Sequence, residues 1–192
     1  YTITYMVKGD DGTYAKDHEA TLKYGDTIAD YSPASKEGYI FSGWYEEEAL
    51  TNAWNAPATM PAGNITVYGE YTANEYTITY MVKGDDGTYA KDHEAAFKFG
   101  DTIADYSPAS KEGYTFSGWY KEEALTNAWS KPETMPAGNI TVYGAFNVNE
   151  YKINYIVNND SSFNKTAVVK YGDAIPGYAP EKTGYTFNGW YK

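Results

Sequence analysis

The segment YTITYMVKGDDGTYAKDHEA begins at Tyr1, begins again at Tyr76, and returns in altered form as YKINYIVNNDSSFNKTA from Tyr151. A period of 75 residues is longer than a solenoid unit and long enough for a small domain with its own core. The chain therefore divides into repeat 1 at 1–75, repeat 2 at 76–150 and an incomplete repeat 3 at 151–192, which stops before its second half. A catalytic site is usually one arrangement of residues, whereas a tandem array serves reach, spacing or multivalent contact. The repetition weighs against an enzyme.

A unit of this size buries only about 60% of its unfolded surface, so each needs a dense core. Tyrosine, at 22 residues, is the commonest aromatic, with seven phenylalanines and five tryptophans behind it. Its ring buries well while its hydroxyl reaches water, which suits thin, half-exposed sheets. The net charge is −11, and all fifteen basic residues are lysine. An acidic chain without arginine repels a nucleic-acid backbone or an anionic membrane surface, so neither is expected as a partner. No apolar run reaches the length of a membrane span. With no cysteine, no disulfide, thiolate or cysteine metal site can be built. The start at tyrosine, the lack of a signal peptide and the stop at Gly189-Trp190-Tyr191-Lys192 read as a fragment of a longer protein.

Within repeat 1, Tyr1, Ile3, Tyr5 and Val7 alternate with Thr2, Thr4, Met6 and Lys8, the pattern of a half-buried strand. Gly9-Asp10-Asp11-Gly12 predicts a turn, and a second strand runs to Tyr24 with Ala20, Leu22 and Tyr24 on one face. Asp26 or Thr27 could cap a short helical turn that Pro33 limits. The stretch YIFSGWYEE after Gly38 carries large residues on both faces, predicting a central strand covered on both sides. EEALTNAW, Glu47 to Trp54, is expected to make one or two helical turns. A last strand, ITVYGEY, places Ile65, Val67 and Tyr71 on one face, and only Thr72 to Glu75 precede Tyr76. So short a link without glycine predicts a semi-rigid, monomeric string of domains.

Repeats 1 and 2 differ at twelve positions, 21, 22, 24, 40, 46, 55, 56, 58 and 70–73. Repeat 3 has drifted further and is more informative. It keeps Tyr151, Ile153, Tyr155, Val157, Tyr171-Gly172-Asp173, Ile175, Tyr178, Pro180, Gly184-Tyr185, Phe187 and Gly189-Trp190-Tyr191. It loses the aspartate pair of the first hairpin, the counterpart of Glu19 and the histidine. The positions kept are framework, and the polar groups that chemistry would need are the ones that vary.

The candidate groups fare accordingly. His18 and His93, the only histidines, occupy the same place in successive repeats and would lie far apart for a shared metal. Asp10, Asp11 and Asp17 lack the alternating ligands and closing glutamate of a calcium loop. Glu46, Glu47 and Glu48 suggest a hydrolytic carboxylate pair, but Glu46 is replaced by Lys121. Trp44, Trp54, Trp119, Trp129 and Trp190 could stack on sugars or build the cores, and the core reading is favoured. Asn64 and Asn139 open Asn-x-Thr triplets, a weak pattern for glycosylation. No catalytic, cofactor or metal residue is assigned.

Tyr-x-Ile-x-Tyr, Tyr-Gly-Asp, Gly-Tyr-x-Phe-x-Gly-Trp-Tyr and Ile-Thr-Val-Tyr-Gly, in that order, resemble the Listeria–Bacteroides repeat, also called the internalin-type B repeat. The resemblance spans both full repeats and the first half of the third; Tyr71 and Phe146 stand where the last strand has its aromatic close. It implies an α+β, predominantly β fold: small β-grasp-like domains, each a mixed sheet with a short helix. It also implies a bacterial cell-surface or secreted protein, wall-attached or released, in which such repeats are non-enzymatic stalks. The family transfers no ligand-binding residues. An adhesive module binding a host or matrix protein or a glycan is the alternative.

Overall fold

The computed structural model describes residues 1–158 and 160–191. They form two compact units, one of Tyr1–Ile78, Ala95–Ala104 and Lys131–Ile140, the other of Thr79–Glu94, Asp105–Ser130 and Thr141–Lys192. Both are predominantly β.

In the first unit, strand β1 (Thr2–Lys8) lies between β2 (Tyr14–Thr21) and β4 (Ile65–Gly69). It pairs antiparallel with β2 and parallel with β4, giving a mixed sheet. The alternation in β1 explains its place. Ile3 and Tyr5 are buried and sit beside Ile65 and Val67 across the parallel pair, while the intervening threonines face outward. Met60 completes the buried cluster, and Ala20, Leu22, Ile28, Tyr31, Trp44, Trp54 and Ile65 pack against it. The β1–β2 hairpin closes where the Gly9 N–H donates to the Thr13 carbonyl at 2.7 Å. A second, two-stranded sheet pairs β3 (Tyr39–Phe41) antiparallel with β5 (Tyr71–Ala73).

A parallel pair needs a long crossover, which a helix usually supplies. Here it holds none, contrary to the expected helical turns. After Asp26 the backbone bonds across the loop: Ile28 N–H donates to Ala58 at 3.2 Å, and Met60 N–H donates to Asp26 at 2.8 Å. Those pairings leave no register for a local helix. Residues 47–54 likewise form the end of a hairpin, with Trp54 N–H on the Trp44 carbonyl at 2.8 Å and Glu46 N–H on Asn52 at 3.0 Å. Leu50 at its tip has φ 54°, a left-handed conformation that no right-handed helix accommodates.

Repeat 2 continues with β6 (Glu75–Lys83), β7 (Tyr89–Lys98), β8 (Tyr114–Tyr120) and β9 (Ile140–Val148), in sheet order β7-β6-β9-β8. The Gly-Tyr-x-Phe strand is therefore an edge strand rather than the central one its large residues suggested. Its outer face stays open, and Ile40 is 62% exposed. Within the second unit β8 pairs antiparallel with β9, Phe116 opposite Phe146 and Tyr120 opposite Tyr143. In repeat 3, β10 (Glu150–Tyr155) pairs antiparallel with β11 (Lys165–Lys170). Between them Ser161–Phe163 make one 3₁₀ turn, capped by the Asp160 carboxylate, the only helical turn among the described residues.

Candidate functional site

The tryptophans belong to aromatic clusters. Tyr5 lies 4.8 Å from the Tyr31 ring and 4.9 Å from Trp44, the latter edge-on, with Trp54 at 6.1 Å. Such pairs contribute about 0.5–1.5 kcal/mol each beyond burial. The Trp44 indole N–H donates to the Tyr31 carbonyl at 2.8 Å. Trp119 repeats the bond to Tyr106 at 3.0 Å, and Trp190 repeats it to Tyr178 at 2.5 Å. All five rings thus have framework partners; Trp54 and Trp129 are half-buried and meet Tyr5 and Tyr80 edge-on.

The remaining candidates disperse. His18 stacks on Tyr31 at 4.3 Å and His93 on Tyr106 at 4.2 Å, each exposed at the flank of its own cluster. Asp10 binds Lys36 at 2.8 Å, Asp11 accepts from Thr13, and Asp17 accepts the Tyr31 hydroxyl at 2.5 Å. That last bond, donated to a carboxylate, is the main reason the Tyr31 phenol is pushed up to about 12. Among the described residues no group of acidic or histidine side chains converges as metal ligands do. Glu47 accepts from the Thr51 hydroxyl and the Asn52 N–H, which hold its carboxyl below the ordinary range. It fastens its loop, while Glu48 offers its backbone carbonyl to Tyr14 at 2.9 Å. Asn64 and Asn139 use their side-chain oxygens to accept from the N–H of Thr2 at 3.0 Å and Thr77 at 2.9 Å. The drifted repeat retains one hairpin aspartate in its role, since Asp160 binds Lys182 at 2.7 Å as Asp10 binds Lys36.

The feature that individual motifs did not reveal is a joint, built twice. Between β5 and β6 stands a single residue, Asn74. Its N–H donates to the Gly38 carbonyl at 2.8 Å, and its carbonyl accepts from the Phe99 N–H at 2.8 Å. Phe99 therefore comes down on Gly38 and meets the Tyr39 ring edge-on at 5.4 Å. A Cβ at Gly38 would lie 2.3 Å from that ring, and φ there is +77°, so glycine is required on two counts. These residues all belong to the first unit. Inside the second unit, Asn149 bonds Gly113 at 2.8 Å and Tyr171 at 2.9 Å. Tyr171 covers Gly113, where a Cβ would approach it to 2.1 Å, and stands 6.2 Å from Tyr114. The signal was present in sequence as an aromatic before Gly-Asp in every copy, Tyr24, Phe99 and Tyr171, and a glycine before Tyr-x-Phe in every copy.

Mixed sheets, aromatic clusters and a repeated joint define a tandem β-repeat module. A model of the Listeria-Bacteroides repeat domain matches residues 1–69, 76–144 and 151–192, and the chain belongs to that family. It is 33% identical over 193 residues to a putative membrane protein of Evansella cellulosilytica, covering all of this chain and 28% of that protein. It is 32% identical over 192 residues to a putative Gly-rich membrane protein of the same organism, covering all of this chain and 21% of that protein. Internalin H of Listeria monocytogenes is 33% identical over 152 residues, 78% of this chain and 26% of that protein. The chain thus spans about a quarter of the length of the curated relatives it matches. No helix among the described residues is long and apolar enough to cross a membrane.

Proposed function

We propose that this chain is a non-enzymatic spacer within a bacterial cell-surface or secreted protein, holding other domains at a set distance and angle. The carrying observation is the joint. A one-residue link bonded through both its N–H and its carbonyl, with a ring seated on glycine, removes the freedom that a flexible linker would have. The names of the relatives, membrane proteins and an internalin, support a surface location. Small-angle scattering of the chain and of Phe99→Ala tests the reading. The variant should broaden the distribution of dimensions while keeping its circular dichroism, and an unchanged scattering profile would defeat the proposal.

An adhesive role is the second reading. In the second unit, Tyr89 and Tyr143 meet edge-on at 5.2 Å beside an open groove that also carries Met81, Lys83 and Glu123, a surface able to stack on a sugar or grip a peptide. Binding to a glycan or matrix-protein array that Tyr143→Ala abolishes would support it, and a blank array would set it aside.

A further inference from the structure

Phe99 and Tyr171 each seat on a glycine shoulder, and Tyr24 occupies the same place in repeat 1. Tyr24 is 72% exposed and has no ring partner among the described residues. Yet the turn that presents it is fully built. Gly25 N–H donates to the carbonyl of buried Met60 at 2.9 Å, and Lys23 N–H donates to the Asp26 carboxylate at 2.7 Å. Gly100 and Lys98 make the same bonds to Met135 and Asp101, each at 2.9 Å, beneath the filled Phe99 joint. The Tyr24 ring is thus held out by the core in the manner of its seated counterpart.

The differences between copies point to the same surface. Of the twelve positions that distinguish repeats 1 and 2, eight, 21, 22, 24, 40 and 70–73, lie on the segments that supply the two halves of the joint. One difference has a visible chemical consequence. The negative charge of Glu112, just before the shoulder glycine, is the main cause that raises the Tyr171 phenol above its ordinary value, an interaction that Phe99, without a hydroxyl, cannot have. A tyrosine in this position therefore suits a Glu-Gly-Tyr shoulder, as at 37–39 and 112–114, better than Thr183-Gly184-Tyr185.

We propose that the face centred on Tyr24 is a docking surface for another copy of this repeat, joined in tandem ahead of Tyr1. That copy presents Glu-Gly-Tyr beneath the ring, its glutamate to the hydroxyl, and the carbonyl of its junction asparagine to the Tyr24 N–H. The contact is small, one ring and two hydrogen bonds, so it forms where a one-residue link supplies a high effective concentration. This assigns a binding face and a matching rule, tyrosine with glutamate, beyond the spacer reading.

The test is the full chain extended by a second copy of residues 76–150 placed directly before Tyr1. Tyrosine nitration mapped by mass spectrometry should show Tyr24 protected in the extended protein, with Tyr185 and Tyr191 reacting as before. Exchange of the Tyr24 amide should slow by about tenfold or more as it gains an acceptor. Gly113→Val in the added copy should return both readouts to their starting values. Glu112→Ala there, at an exposed position, should raise nitration while leaving the slow amide. Equal Tyr24 reactivity and exchange with and without the added copy would overturn the proposal, and indifference to Glu112→Ala would overturn the matching rule. Because the spacer reading is tested at Phe99 in the unextended chain, either can fail alone.

Discussion

Ile103 and Ile175 hold the same place in successive repeats, yet the first is 1% exposed and the second 71%. Nearby, the aromatic cluster survives the comparison: Tyr155, Tyr178 and Trp190 still meet, at 5.5 and 5.0 Å from Tyr155. The Tyr155 hydroxyl also donates to the Pro176 carbonyl. The centre of each cluster is thus built by residues that repeat 3 also carries, while Trp54 and Trp129 at its side come from the second half of a repeat. The aliphatic layer needs the second half, where Met60 and Val67 are buried in repeat 1, and Met135 and Val142 in repeat 2. Each full repeat has two layers of cohesion, and the described residues of repeat 3 supply the centre of the aromatic one.

The largest expected effect comes from removing the shared ring. Tyr5→Ala should cost about 3–5 kcal/mol, read as loss of exchange protection in β1 and β4. Tyr155→Ala should cost clearly less, because no aliphatic layer rests on it. Equal costs would mean that the two layers are not separable. A finer test compares two glycines. Gly38 and Gly184 have φ of +77° and +79°, so valine meets the same backbone penalty at both. Only at Gly38 does it also strike a ring, adding about 1–3 kcal/mol. Unfolding free energies of the two variants from urea titration should differ by that amount, and equal values would argue that the Phe99 seat is loose.

The smallest effect is electrostatic. Tyr31 ionises ordinarily near 10.0 and in the fold near 12, chiefly because it donates to Asp17. The folded value is raised, so the stabilisation is intact below the unfolded value and is lost as the pH climbs from about 10 towards 12. Asp17→Asn should bring Tyr31 back towards the ordinary range in an ultraviolet phenolate titration and flatten the alkaline loss of stability. An unshifted Tyr31 would show that the hydrogen bond is not what holds its proton.

Much of this architecture was legible in the sequence. The alternation of Tyr1, Ile3, Tyr5 and Val7 located β1 and its inward face, and the packing of Trp44 against the buried cluster followed from ring content, whereas Trp190 is exposed. What periodicity conceals is partnership. Ile65 and Val67 announce a strand but not that it lies parallel to β1. Thr27 looks like a helix cap because the bonds that Asp26 and Ile28 make to Met60 and Ala58 join residues far apart in sequence. The joint escaped for a similar reason, since Phe99 and Gly38 are each ordinary alone. The edge position of β3 and β8 was misread because large side chains on both faces imply cover, whereas Ile40 is left in the open.

The parallel pairing of β1 with β4 makes the first strand of a repeat wait for nearly the last. When the chain emerges from a ribosome or export channel, Thr2–Lys8 cannot complete its sheet until Ile65–Gly69 has followed. Thr77–Lys83 begins with the same residues as Thr2–Lys8, and Ile140–Gly144 has the same sequence as Ile65–Gly69. A strand released late therefore has two chemically equivalent seats, and exchange between neighbours is the characteristic misfolding hazard of such arrays. The divergent residues at 21, 22, 24, 40 and 70–73 are what distinguish the right neighbour from its twin.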